Sequence, residues 1–577
     1  MNACQFICDH PAQPDRGNPP PGIPVPRHCP RAFRQYRQHR GLDFRSRGAA
    51  LLPALGNPPT SGGAHAAAWR PAPQSPTGMG ALVMIEQVAS PRTQQDSTLD
   101  HSKLRISAEE VSAYDLSGRQ PVLLGFFISI VWLLIGTVMG DISSFKFDRP
   151  DFLSEQAYLT FGRIRPAHLN AMVYGWASTA MFSVSLWLMP RLCRTQLRWA
   201  GAAVAGILIW TLGLVIGLVL LLAGYSDGLE WLELDRVWAD PLLVVGASLV
   251  GASIWKTLSV RNVHHLYVSV WYVAASYPWF AIIFIAGNLP IFQGVESAAV
   301  NWFYAHNALG LWLTTVNLGL IYYLLPKIIG RPIYSYWLSL IGFWGLALFY
   351  ALNGMHHLIG GPLPSWMIAT SITASIMMVI PVVAVGINHH MTVVGRFGAM
   401  RYSPALTLAV IAAMSYTAVS LQGILTALVS VNRITHFTHW TIAHSHLGLY
   451  MFVTLSLFGG MYYILPRVLK KEWPSTRLIR MHILLTGGGM VLYVVVLGIG
   501  GVLQGLSLLA PGQGFEASVA STRPWLLLRS VAAVIISAGH LIFAYHVYLM
   551  AFTQHGSARR HPPFFEIKPV LVRKKAP

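Results

Sequence analysis

From Pro121 to Phe552 the chain repeats one pattern, apolar runs of about 20 residues or longer separated by short polar gaps. Twelve such runs begin near residues 121, 169, 199, 240, 266, 302, 334, 365, 404, 440, 479 and 524. At about 1.5 Å of rise per residue, each is long enough as a helix to cross a hydrocarbon core of roughly 30 Å. Lipid offers the backbone no hydrogen bonds, so a continuous apolar run must satisfy its own N–H and C=O groups, as a helix does. The pattern predicts an all-α, polytopic membrane protein with twelve transmembrane helices over residues 119–552. Residues 85–118 and 553–577 flank it as a polar N-terminal segment and a basic tail. Residues 1–84 are rich in Pro, Gly and Arg and contain neither Glu nor Lys. They cannot bury enough surface to offset their chain entropy. This stretch is expected to be a disordered extension, or translated sequence upstream of a true start at Met79 or Met84.

Charge refines the picture. Only 11% of the 577 residues are charged and 54% are hydrophobic, against about 25% charged in soluble domains. The formal net charge of +19 would suit nucleic acid, but the basic residues lie in short gaps and tails between apolar runs. They read as a topology signal instead, and no nucleic-acid partner is expected. Arg191, Arg194 and Arg198 share one gap, and Asp227, Glu230, Glu233 and Asp235 the next. The alternation continues through Lys256 and Arg261, Lys327 and Arg331, Arg396 and Arg401, then Arg467, Lys470 and Lys471. Both termini are thereby predicted to be cytoplasmic. Arg163 and Arg165, before the second run, break the rule, as Arg433 does more weakly. The cysteines, Cys4, Cys8, Cys29 and Cys193, form no CxxCH haem-attachment motif. No internal repeat is evident residue by residue, which weighs against a cofactor-free transporter built from repeated halves.

Histidine inside a membrane span is costly and points to function by default. His264, His265, His389, His390, His482, His540 and His546 lie mostly near predicted cytoplasmic ends or lack a partner motif, and read as structural. Six others share one predicted membrane depth: His168, His306, His356, His357, His444 and His446. His444 and His446 are two residues apart, about 200° around a helix, so one helix can serve a centre on each side. His168 and His446 can fill both axial positions of a haem iron, which suits electron transfer. His444 can hold a second haem from one side and leave the other open. His306, His356 and His357 make a three-imidazole site suited to copper. An open haem facing such a metal suits reduction of a small oxygen-containing gas.

Five motifs, RIRPAHLNA, YAHNALG, GRPIYSYWLS, FYALNGMHHL and HWTIAHSH, together resemble the central subunit of the haem–copper oxygen reductases, specifically the C family of cbb3-type cytochrome c oxidases. The resemblance covers roughly residues 115–555. It implies two b-type haems, with His168 and His446 on the low-spin haem and His444 on the high-spin haem, and one copper on His306, His356 and His357. It also implies a catalytic Tyr350, six residues before His356, cross-linked to the sixth-span histidine. Thr314, Tyr322 and Ser339 match its proton channel from the cytoplasm. Arg163 and Arg165 would pair with haem propionates, and Glu230 and Glu233 resemble an acidic pair near a bound calcium. Two places depart from the family: His439, where an acidic residue is expected, and the run LIGGPLPSW after His357.

The expected activity is reduction of O2 to water with electrons from c-type cytochromes, coupled to proton translocation. Membrane-anchored c-type cytochrome subunits and cytochrome c are the expected partners, and a bacterial inner membrane the expected location. The nearest rival is nitric oxide reduction on the same scaffold with non-haem iron. Those enzymes usually place a glutamate near that iron and lack the tyrosine, whereas the start of the sixth run has no glutamate and Tyr350 is present.

Overall fold

The computed structural model describes residues 107–553. The 1–84 extension, most of the basic tail and part of the 85–118 segment lie outside them. Among the described residues, eleven helices are long and apolar enough to cross a membrane. With one further helix they number, in chain order, α1 (Arg119–Asp148), α2 (161–193), α3 (Ala200–Ala223), α4 (Asp240–Ser259), α5 (Val268–Asn288) and α6 (Gly294–Ile329). There follow α7 (Tyr336–Leu358), α8 (Ser365–Val393), α9 (Pro404–Thr426), α10 (His439–Leu469), α11 (Thr476–Leu509) and α12 (Phe515–Phe552). The further helix is α2, which lies outside the eleven although it is long. It is built for the interior, and Ser178, Thr179, Ser183 and Ser185 are all fully buried in it. Side chains that never meet lipid need not be apolar, so its hydropathy drops.

The bundle has an inner and an outer set of helices. In α6 and α10, 89% and 83% of the most apolar window is buried, against 33–61% in the other spans of the eleven. With α2 they form the core, and the remaining helices turn apolar faces such as Val131, Leu212, Trp344 and Leu541 outward. α12 packs back on α1 and closes the ring. A short helix, Ala108–Ser117, opens on a Ser107–Glu110 capping box. It is fastened to the end of α2 by the two-pronged Arg191–Asp115 pair, at 2.5 and 2.6 Å.

The three inner helices share a backbone construction that their side chains reveal only in part, through the runs WLMPR, YLLPK and YILPR at their ends. Each contains a π-helical segment, Ala171–Ser178, Ala308–Thr314 or Leu447–Thr454, starting one to three residues after His168, His306 or His446. Each also carries a proline near its end, at Pro190, Pro326 or Pro466. The carbonyl of that proline accepts the N–H of a left-handed cap, Arg194, Gly330 or Lys470. The wider π turn shifts the register of the turns beyond it. The histidine and the residues below it can then both face the core.

Candidate metal and haem centre

All six of the histidines that share one predicted depth line one cavity of about 420 Å³, together with Tyr350, Thr314, Arg165 and Glu230. They fall into two groups. His306, His356 and His357 place one ring nitrogen each within 4.8 Å of one another. They form the one such cluster of three or more His, Cys, Asp or Glu among the described residues. His444 is close enough for charge–charge interaction with all three. His446 interacts instead with His168.

Hydrogen bonds prepare four of these rings for a ligand. His168 Nδ1 lies 2.7 Å from the Gly136 carbonyl, His446 Nδ1 2.9 Å from the Ile442 carbonyl, and His444 Nδ1 2.8 Å from Gln422 Oε1. Each partner can only accept, so Nδ1 carries the proton and Nε2 keeps its lone pair. His356 Nδ1 meets Ser375 Oγ at 2.9 Å, and that hydroxyl spends its own proton on the Ser371 carbonyl, which assigns the same tautomer. Such outer contacts orient metal-binding imidazoles and raise their basicity. His306 Nδ1 is buried with no hydrogen-bond partner, an orphaned polar atom of the kind a bound cation satisfies. His357 is held flat on Trp302, with ring centroids 4.1 Å apart and planes 9° from parallel. The donor set suits haem iron and a three-imidazole metal.

Two glycines make room for these rings. A Cβ on Gly140 would stand 2.7 Å from the His168 ring, so α1 passes that ring only without a side chain. A Cβ on Gly310 would overlap the Tyr350 ring. Tyr350 lies against α6 there and stacks on His306, with centroids 4.6 Å apart.

The other predicted residues are spread out. Tyr322 and Ser339 meet through Asn388, whose amide reaches Ser339 Oγ at 2.8 Å and the Tyr322 hydroxyl at 3.4 Å. Thr314 lies two turns above Tyr322 in the cavity wall. Arg165 pairs with Glu230 at 3.3 Å, and both line the cavity. Arg163 turns away to the Leu222 carbonyl at the end of α3. Glu233 is buried and accepts Asn170 Nδ2 at 2.9 Å and the Trp231 N–H at 3.0 Å. Burial pushes its carboxyl up, against the pull of those bonds. His439, where the sequence departs from the family, packs edge-on to Phe147.

Sequence reasoning missed Gln422, Ser371, Ser375 and Asn388, whose only signal was a polar side chain inside an apolar run. It also missed Arg529 in the cavity wall, buried in α12 and bonded to the Ser144 carbonyl at 3.2 Å.

The fold and this site define a haem–copper type of membrane oxidoreductase. The family model for cytochrome c and quinol oxidase polypeptide I matches residues 120–535, and the chain belongs to that family. It is 30% identical over 439 residues to a cbb3-type cytochrome c oxidase subunit of Stutzerimonas stutzeri, covering 73% of this chain and 92% of that one. It is also 30% identical over 447 residues to a cytochrome c oxidase subunit 1 homolog of Agrobacterium tumefaciens (strain T37), covering 74% and 82%. A solved heme-copper terminal oxidase dimer shares the fold, with a TM-score of 0.64 at 15% identity over 78% of this chain and 85% of that one.

Proposed function

We propose that this chain is the catalytic subunit of a cbb3-type oxidase that reduces O2 to water with electrons from c-type cytochromes. The observation that carries the reading is the sorting of six imidazoles in one cavity into a pair, a single ring and a triad. His168 and His446 hold a low-spin b-type haem, His444 a high-spin b-type haem, and His306, His356 and His357 a copper ion. When bound, these groups supply the electrons and the open coordination positions that O2 reduction needs.

The protein's own work is to hold the ligands and deliver protons. Gly136, Ile442, Gln422 and Ser375 keep each Nδ1 protonated and each Nε2 available. The Tyr350 phenol, stacked on His306, would supply a proton and an electron for oxygen reduction, the electron being restored to it in turn from the c-type cytochromes. Ser339, Asn388, Tyr322 and Thr314 mark the route by which protons from the cytoplasm re-supply it, and part of that flow is pumped outward. Arg165 answers a propionate, with Arg163 bracing the end of α3 behind it. A calcium ion at Glu230 and Glu233 would require Glu230 to leave Arg165. Both termini face the cytoplasm of a bacterial inner membrane, and membrane-anchored c-type cytochrome subunits pass electrons in from outside.

Elemental analysis of the purified complex tests the assignment, after subtraction of covalently attached c-type haem. The expected result is two irons and one copper per chain. Alanine in place of His356 should then remove the copper and leave both haem spectra. Three irons without copper would move the protein to nitric oxide reduction and make Tyr350 a structural residue.

A further inference from the structure

α12 carries a buried imidazole that the proposed reaction does not use. His540 is 2% exposed and stands in the wall of the same cavity as Thr137 of α1 and Tyr450 of α10. Its Nδ1 is 2.7 Å from Thr137 Oγ1, and its Nε2 is 2.6 Å from the Tyr450 hydroxyl. Thr137 donates its own proton to the Leu133 carbonyl at 2.6 Å, so its oxygen accepts from His540 Nδ1–H. Nε2 is then a lone-pair base facing a phenol that can rotate. The two anchors adjoin the residues that would hold the low-spin haem. Thr137 follows Gly136, whose carbonyl orients His168, and Tyr450 lies one turn beyond His446. An electron arriving between those ligands adds a negative charge inside an enclosure of low dielectric. A base nearby gains proton affinity in response.

We infer that His540 is a redox-linked proton site, which takes up one proton at Nε2 when an electron enters the low-spin haem and releases it when the electron leaves. The inference rests on the proposed haem assignment of His168 and His446. The electron comes from a one-electron donor and takes the iron from ferric to ferrous. The proton comes from water, and the only bond made is N–H. Tyr450 keeps its own proton and turns so that its oxygen accepts the new N–H; reoxidation reverses both changes.

Other ionisable groups face the same region. On α1, Asp141 accepts Ser537 Oγ at 2.7 Å, one turn from Thr137. Tyr450 and His446 stand on α10, and His482, within electrostatic reach of His540, and Tyr493 stand on α11. Arg529 and His546 share α12 with it. Asp141 and His482, whose Nε2 is buried without a hydrogen-bond partner, are therefore the competing proton acceptors, and loss of the response on changing His540 alone separates them from it.

The test is a spectroelectrochemical titration of the low-spin haem in the purified complex, between about pH 6 and pH 9. Wild type, His540→Gln and Asp141→Asn are compared. Glutamine can still donate to Thr137 and accept from Tyr450 but cannot take a proton, so a merely structural clamp would survive the change. The wild-type midpoint should fall as pH rises, Asp141→Asn should keep that slope, and His540→Gln should lose it. A wild-type slope retained in His540→Gln, or a flat wild type, overturns the inference. A wild type without a bis-imidazole haem spectrum refutes the haem assignment itself. If His540→Gln does not assemble, redox difference infrared spectra of wild type with isotope-labelled histidine decide. An imidazolium band gained on reduction supports the site, and its absence overturns it.

Discussion

At the scale of single residues, the centre depends on atoms that fix ring orientation as much as on the ligands themselves. Ser375 is the clearest case, because its hydroxyl alone assigns the His356 tautomer. Ser375→Ala should weaken copper retention by about 10–100-fold, the usual effect of losing such a contact. Both haem spectra should persist. Copper content after dialysis against a graded chelator measures this, and unchanged retention would remove Ser375 from the account. Gly310 acts through space alone. Gly310→Ala forces Tyr350 off the face of α6, so turnover should fall sharply while metal and haem content hold. The histidines were legible in sequence because an imidazole in an apolar span is rare. Ser375 and Gly310 were not, since serine and glycine are ordinary in membrane helices and nothing local marks which one touches a ring.

At the scale of elements, α2, α6 and α10 repeat one construction, with a candidate ligand histidine just before a π segment in each of three buried helices. Similar backbone devices, a π segment and a left-handed cap below a proline, recur in all three, and the proline is marked each time by an aromatic residue three positions before it and a basic residue after it. A comparison of residues therefore detects the proline ends but not the π segments. The caps differ in cost. Gly330 adopts its φ of 73° freely, whereas Lys470 carries a Cβ at a φ of 55°. Relieving that strain stabilises by roughly 1 kcal/mol before the added chain entropy of glycine is set against it. Lys470→Gly should therefore raise the thermal midpoint of the detergent-solubilised complex slightly, and a lowered midpoint would show that the lysine side chain contributes more than its backbone costs.

For the whole molecule, charge and span count make one joint prediction. With twelve crossings, the ends of α2, α6 and α10 lie on the same side as both termini, and the loop of Asp227 to Asp235 on the other. Cysteines introduced singly at Ser259 and at Ser226 test this in intact cells with a membrane-impermeant thiol reagent. Only Ser226→Cys should react, and labelling at Ser259→Cys would invert the bundle. Cys193, the one free cysteine among the described residues, is buried.

The amino-acid sequence alone determined the helical class, the positions of the spans and the six candidate ligands. These rest on local physics, a backbone that must bond to itself in lipid and the cost of putting imidazole there. The pairing of those ligands into one cavity was consistent with sequence but decided by packing. So were the tautomers set by Gln422 and Ser375, the separation of Arg163 from Arg165, and the place of His540 between α1 and α10. Each depends on which faces of helices distant in the chain come to lie together, and no short-range pattern encodes that contact.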